Sequence, residues 1–272
     1  MKILMHSLTK NGRFARFHFR QPHRPPARLL CAVYLLSGFL LPSRPLCAQP
    51  LQLEVVFNFG LTNGAYPHAG LTLGADGQFY GTASYGGDGA VGTAFRFTTS
   101  GTLTTLGSFN GFNGESPYTP LTTGSDGHLY GTTWAGGVSN QGTAFRLTTN
   151  GTLTSLLSFV GTNGTLPDAA LTLAGDGNLY GTTTGGGVSN YGTVFRLTTN
   201  GVLTTLVSFV FTNGANPSGA LAIGNDSNLY GTASAGGPNN RGTVFKVTLN
   251  GVLTTVAAFD STPPDQCSPT RA

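Results

Sequence analysis

The stretch Asp176-Gly177-Asn178-Leu179-Tyr180-Gly181-Thr182, followed ten residues on by Gly192-Thr193-Val194-Phe195-Arg196-Leu197, decides how this chain folds. In the second segment Thr193, Phe195 and Leu197 alternate with Val194 and Arg196, the two-residue period of a strand. Asp176-Gly177 and Asn200-Gly201 accept the positive φ of tight hairpins. Working outward, the pattern predicts strands at Ala170–Leu173, Asn178–Thr183, Thr193–Thr198 and Leu203–Phe209, here lettered a to d. The connections are Gly-Asp-Gly, the Gly-rich run Gly185–Gly192, and Thr199-Asn200-Gly201. Four antiparallel strands in series make one meander.

That meander recurs. The tetrapeptide starting at Gly192 also starts, with Ala or Val third, at Gly92, Gly142 and Gly242, a step of 50 residues. Tyr80, Tyr130, Tyr180 and Tyr230 keep the step, each followed by Gly-Thr. So do Pro67, Pro117, Pro167 and Pro217, and Phe59, Phe109, Phe159, Phe209 and Phe259. The a–b–c set occurs at about 70–98, 120–148, 170–198 and 220–248, whereas strand d occurs five times, counting Leu53–Phe59. One sheet of this size cannot bury both faces, and stacking like units around an axis solves the problem. Phe195 on one face and Val194 on the other fit a sheet held between neighbours. The expected fold is therefore all-β: a β-propeller-like ring of four-stranded antiparallel blades, incomplete if the surplus d strand belongs to a longer propeller. Otherwise that first d strand closes the ring and the last is displaced. An open solenoid or bead array is the nearest alternative. A membrane barrel would need paired aromatic girdles and strands of about ten residues.

Composition agrees. Charged residues make up 9%, Gly counts 41, and 18 Phe with 9 Tyr argue against disorder. The net charge of +4 belongs to the first 48 residues: Lys2, Lys10, Arg13, Arg16, Arg20, Arg24, Arg28 and Arg44, with no acidic residue among them. From Gln49 on, six basic and ten acidic residues leave −4, which removes the basis for a nucleic-acid partner. The leader reads as a signal peptide, residues 1–48. A basic region precedes the apolar run Leu29–Leu41, with cleavage expected after Ala48. That run is too short for a comfortable span, so no membrane span is expected in the mature chain. Cys31 and Cys47 fall in the leader, so Cys267 alone would remain and no internal disulfide is expected. Residues 49–259 form the repeat domain and 260–272 an irregular tail.

Asp176–Thr182, Gly192–Leu197 and Leu203–Phe209 together resemble the GloVer (Gloeo/Verruco) tandem repeats of "choice-of-anchor tandem repeat" proteins. The resemblance covers about residues 53–259 and implies a secreted or surface-bound bacterial protein of unassigned role. Members of the family end in one of several sorting signals; Asp260–Ala272 departs from this, with no apolar helix followed by basic residues.

Comparison among the four repeats separates frame from candidate site. The Tyr80 column is expected to fill the space between sheets, where burial of a large side chain contributes about 1.5–3 kcal/mol. Arg96, Arg146, Arg196 and Lys246 are expected to form hydrogen bonds between blades, with an axial anion site as rival. Asp76, Asp126, Asp176 and Asp226 read as turn formers. A Ca²⁺ site needs about six to eight oxygens, and few other oxygen side chains lie near them. Neither a metal nor a cofactor is expected. The variable residues fall in the d-to-a loop (Gly60–His68 and equivalents) and the b-to-c loop (Ser84–Val91 and equivalents), both at one end of a meander. Loops on a rigid frame carry function disproportionately. The candidate ligand-binding residues are Tyr66, His68, Tyr85, Asp88, Glu115, Tyr118, Trp134, Asp168, Tyr191 and Arg241. Aromatics beside Asn140, Asn190, Asn239 and Asn240 would suit sugar stacking. The expected function is a non-catalytic binding or interaction scaffold, its partner a carbohydrate or another surface protein. A polysaccharide-active enzyme and a structural surface protein are the alternatives. For the enzyme, Glu115 and Asp168 are the only pair to consider, at a required carboxylate separation of roughly 5–9.5 Å.

Overall fold

The computed structural model describes Val55 and Phe57–Asp260. The chain divides into two units, Met1–Asn58 and Phe59–Ala272, and the second carries the fold. The expected leader and nearly all of the tail lie outside the described residues.

Among the described residues, sixteen strands form four separate four-stranded sheets, one per repeat, each a sequential antiparallel meander. The first sheet comprises β1 (Thr72–Leu73), β2 (Phe79–Ala83), β3 (Thr93–Phe97) and β4 (Leu103–Ser108). The second comprises β5 (Thr122–Thr123), β6 (Leu129–Thr133), β7 (Thr143–Leu147) and β8 (Leu153–Ser158). The third comprises β9 (Thr172–Leu173), β10 (Leu179–Thr183), β11 (Thr193–Leu197) and β12 (Leu203–Ser208). The fourth comprises β13 (Ala222–Ile223), β14 (Leu229–Ala233), β15 (Thr243–Val247) and β16 (Leu253–Ala258). The four strands expected in each repeat are all present, with the first of each shorter than its apolar run. Of the extra d strand expected at Leu53–Phe59, Leu53, Glu54 and Val56 fall outside the described residues, and Phe57–Phe59 lie in none of the sixteen strands.

Each sheet has a front, bearing the Phe195 column, and a back, bearing the Tyr180 column. The back of one packs on the front of the next. Tyr80, Ala94 and Phe109 meet Leu121, Leu129, Phe145 and Leu147. Tyr130, Ala144 and Phe159 meet Leu171, Leu179, Phe195 and Leu197. Tyr180, Val194, Val207 and Phe209 meet Leu221, Leu229, Phe245 and Val247. An edge-on phenylalanine pair marks every junction: Phe109–Phe145 at 5.0 Å, Phe159–Phe195 at 5.3 Å and Phe209–Phe245 at 5.0 Å between centroids. Such pairs add about 0.5–1.5 kcal/mol beyond the area they bury.

Polar clasps fix the same junctions. The Thr72, Thr122 and Thr172 hydroxyls donate to the carbonyls of Leu121, Leu171 and Leu221 at 2.5, 2.6 and 2.6 Å, tying each first strand to the next repeat's first strand. At the loop end the Ser116, Leu166 and Asn216 amides donate to the Val91, Gln141 and Tyr191 carbonyls, each at 2.9 Å. Two recurring glycines follow from these close approaches. A Cβ on Gly181 would stand 2.5 Å from the Phe195 ring, and one on Gly142 would stand 2.5 Å from the Thr133 carbonyl and 2.6 Å from Pro167 Cδ of the next repeat.

Every third-to-fourth strand pairing contains a bulge that the alternating pattern did not reveal. Ala144 pairs with Leu157 and Phe145 with Ser155, leaving Leu156 as the extra residue. The same shift recurs in the other three sheets. The bulge lets two successive residues, Leu156 and Leu157, join the core behind the second sheet.

The Tyr80 column fills the space between sheets as expected, and Tyr80, Tyr130 and Tyr180 are fully buried. Their hydroxyls donate to Asp76, Asp126 and Asp176, each at 2.7 Å, while each Asp's other oxygen accepts the amide two residues on, at 3.1 Å. The aspartates are thus turn formers that also hold the buried phenols. The arginine column departs from expectation. Arg196 donates to Thr204 of its own sheet at 3.3 Å, and the buried Nε atoms of Arg96, Arg146 and Arg196 have no hydrogen-bond partner. In register, Arg96, Arg146 and Arg196 sit opposite Tyr80, Tyr130 and Tyr180 of the neighbouring strand.

Burial, then the hydrogen bond to Asp76, pushes the Tyr80 hydroxyl up to about 12, and the same causes raise Tyr130 and Tyr180. Burial by itself would raise Asp76, Asp126 and Asp176; hydrogen bonds from the tyrosines, the turn amides and the Asn178 side chain outweigh it, and all three are lowered. A raised tyrosine stabilises fully below its unfolded value of about 10, and that contribution is lost as pH rises toward the folded value. A lowered aspartate stabilises above about 4 and is lost as pH falls through its folded value. Thermal melts across pH should therefore show a plateau with an acid and an alkaline limb, and Tyr180→Phe should shallow the alkaline limb. Tyr180→Ala should cost about 3–5 kcal/mol by chemical denaturation; a loss below about 1 kcal/mol would contradict the core position.

Candidate functional site

The two variable loops of each repeat are stitched together. Ala65 bridges Tyr85, Glu115 bridges Ala135, Thr165 bridges Gly185 and Ala215 bridges Ala235. Asn63, Asn113, Asn163 and Asn213 close the d-to-a loops, their carboxamide oxygens accepting the amides of Gly60, Asn110, Val160 and Val210 at 2.7–3.0 Å. The loop end is therefore a framed surface, with the Asp-containing hairpins and His128 at the opposite end.

On this frame five of the ten candidate residues form one continuous aromatic track across the first two repeats. Tyr85 meets Tyr66 edge-on at 6.3 Å, and Tyr66 stacks on His68 at 6.5 Å and 18°. His68 meets Tyr118 of the next repeat at 5.4 Å, and Tyr118 meets Trp134 at 6.4 Å. Tyr66, Tyr85, Tyr118 and Trp134 are 38–54% exposed, far more than an aromatic core allows. The backbone contributes: Tyr66 sits at φ 54°, a left-handed conformation that costs a non-glycine residue about 1–2 kcal/mol. Its carbonyl is held by the Ser84 amide at 3.2 Å and the Ser84 hydroxyl at 3.0 Å.

The other candidates are placed differently. Asp168 holds the next position in the column of His68 and Tyr118; it is exposed, and partial desolvation raises its carboxyl above the ordinary range. Glu115 is half-buried, with its backbone in the bridge to Ala135. Asp88 is exposed, its amide donating to the Ser108 hydroxyl at 3.2 Å. Tyr191 packs against Phe211 of the following repeat at 5.4 Å and leans on the third core, apart from the track. Arg241 is exposed at the fourth repeat. The amides expected to line a sugar site are partly committed to the frame: Asn140, Asn190 and Asn240, at φ 52°, 60° and 52°, accept the amides of Gly136, Gly186 and Gly236 at 2.8, 2.8 and 3.1 Å. Among the described residues no cluster of His, Cys, Asp and Glu could hold a metal ion, and no helix is long and apolar enough to cross a membrane.

A model of the Gloeobacter/Verrucomicrobia repeat matches residues 47–175 and again 123–271. The chain belongs to the Gloeobacter/Verrucomicrobia repeat family. The two matched segments together span all four sheets. No curated protein matches the chain in sequence. Solved structures similar to it include a putative gluconolactonase (17% identity, TM-score 0.46, covering 72% of this chain and 65% of that one). A gluconolactonase from Xanthomonas campestris matches at 17% identity and TM-score 0.46, over 68% of this chain and 59% of that one. A putative 6-phosphogluconolactonase from Bacteroides uniformis matches at 17% and 0.49, over 74% and 60%. The chain therefore spans less than two thirds of the length of these proteins.

The loop frame generates one stability prediction. Ala90 holds φ 54° at the position where the later repeats place Asn140, Asn190 and Asn240. Asparagine tolerates this conformation and its side chain would reach Gly86 as its counterparts reach their own glycines. Ala90→Asn should raise stability by about 1 kcal/mol in urea unfolding; a loss would show that the first repeat's loop is built differently.

Proposed function

We propose that this chain is an exported, non-catalytic binding scaffold whose aromatic track, Tyr85–Tyr66–His68–Tyr118–Trp134, binds a saccharide chain. The track is the observation that carries the reading. Rigid aromatic side chains offer large contact area at small entropic cost, and a sugar ring presents apolar C–H faces to them while its hydroxyls stay wet. Exposed rings joined over two repeats suit an extended ligand lying along an arc of the loop end. The columns then change from His68 and Tyr118 to Asp168 and Ser218, and from Trp134 to Thr184 and Ser234, so the track ends after the second repeat. Export is supported by the basic, acid-free leader and the apolar run Leu29–Leu41. Amino-terminal sequencing of secreted protein should give a start near Gln49.

The binding reading is tested by titrating soluble oligosaccharides of several linkages and by co-sedimentation with insoluble polysaccharides. Trp134→Ala and Tyr118→Ala should each weaken binding about ten-fold, or roughly 1.4 kcal/mol, whereas Tyr191→Ala should leave it nearly unchanged. Retention of a ligand without loss in either track variant would overturn the assignment. A second reading, hydrolysis of the bound polymer, is favoured only by the carboxyl of Asp168, next in the column of His68 and Tyr118 and raised by partial desolvation. It requires an activity that Asp168→Asn abolishes while binding persists.

A further inference from the structure

The residue after each loop proline changes chemistry along the track. It is His68 in the first repeat, Tyr118 in the second and Asp168 in the third. The frame beneath it does not change. The amides of Ser116 and Leu166 donate to the Val91 and Gln141 carbonyls of the preceding repeat, each at 2.9 Å, and their φ angles are 54° and 55°. Pro117 and Pro167 are buried, each against a glycine of the preceding repeat. A Cβ on Gly92 would stand 2.7 Å from Pro117 Cδ, and one on Gly142 would stand 2.6 Å from Pro167 Cδ. Asp168 therefore stands to Tyr118 as Tyr118 stands to His68, and the rings of that pair are 5.4 Å apart. A ligand following the column meets a ring, a second ring and then a carboxylate.

That carboxylate is exposed, and partial desolvation acts on it unopposed by any hydrogen bond or cation. The two variable loops of the first three repeats contain no lysine or arginine. His68 is their only base, and Asp88 and Glu115 add two more acidic residues. The basic residues of the strands serve the hairpin end, where Arg96 and Lys246 act on Asp76 and Asp226. A partly desolvated carboxylate without a counter-ion gains when a ligand brings one. The face of an exposed tyrosine or tryptophan attracts a cation as well. Uronate or sulfate groups would meet repulsion instead.

Resting on the saccharide reading above, we propose that the track selects a saccharide with free amino groups, and that Asp168 determines this specificity by pairing with a protonated amine of the unit beyond Tyr118. The rings recognise the apolar face of the sugar; the carboxylate recognises its charge.

The test compares equal-length oligomers of glucosamine, N-acetylglucosamine and glucose in the same linkage, which differ only in bearing an amine, an acetamide or a hydroxyl. Calorimetric titration of the whole protein, in buffer acidic enough to protonate the amine yet leave carboxylates ionised, should favour the glucosamine oligomer about five-fold or more. Added salt should erode that preference. Asp168→Asn should weaken glucosamine binding about three-fold and leave glucose binding as it was. Asp168 is exposed, so circular dichroism of this variant should match the parent. Trp134→Ala should weaken all three ligands, and Asp226→Asn, which removes the same charge at the opposite end, should change none of them. Equal affinity for the three oligomers, a preference that survives Asp168→Asn, or one lost equally in Asp226→Asn overturns the selection of amines and leaves the saccharide reading standing. Failure of all three to bind, or glucosamine binding untouched by Trp134→Ala, overturns both.

Discussion

The burial of one sheet's back beneath the next sheet's front is the constraint on which the rest of this structure depends. An isolated four-stranded meander of about fifty residues has two faces to dry and no helix to cover either. Each internal junction solves this with the same set: a tyrosine, a small aliphatic residue and a phenylalanine from one repeat against leucines and a phenylalanine from the next. The hydrogen bonds are subordinate to that packing but give it register. The Thr72-type hydroxyls join the first strands, and the Ser116-type amides join the loop ends, so sheets cannot slide along one another without losing buried polar partners.

The same constraint explains features that look unrelated. Gly181 is glycine because the Phe195 ring lies where a side chain would begin. The outer-strand bulge exists because two successive residues are needed behind each sheet, and regular alternation would send one of them to the wrong side. The tyrosine hydroxyl, carried to the edge of the junction, needs an acceptor, and the aspartate of the adjoining hairpin supplies it. One carboxylate thereby shapes a turn and satisfies a phenol.

The proposed function is separated from this machinery by position. Residues repeated in all four units serve the junctions; the aromatic track uses positions that the repeat leaves open. Bridges between the d-to-a and b-to-c loops, and the Asn63-type closures, hold the track's backbone in place, so the frame can display rings in water at little further entropic cost. Tyr191 illustrates the boundary. It occupies a variable loop position, yet packing against Phe211 and the core makes it part of the frame.

Much of this was legible from residue order alone. Strict 50-residue periodicity, strand alternation and Asp-Gly or Asn-Gly punctuation were enough to determine four antiparallel meanders, their facing pattern and the end at which variable loops gather. These follow from local backbone preference and a two-residue period, which a linear reading can count. Tertiary structure alone decided which variable residues meet. Tyr66, His68, Tyr85, Tyr118 and Trp134 lie up to 68 positions apart in sequence and join only because adjacent repeats bring equivalent loops side by side. It also decided that a bulge interrupts each outer pairing and that Phe59 sits on Phe95. Such choices depend on competition between chemically equivalent partners for one place in space, and a repeating sequence offers those partners without ranking them.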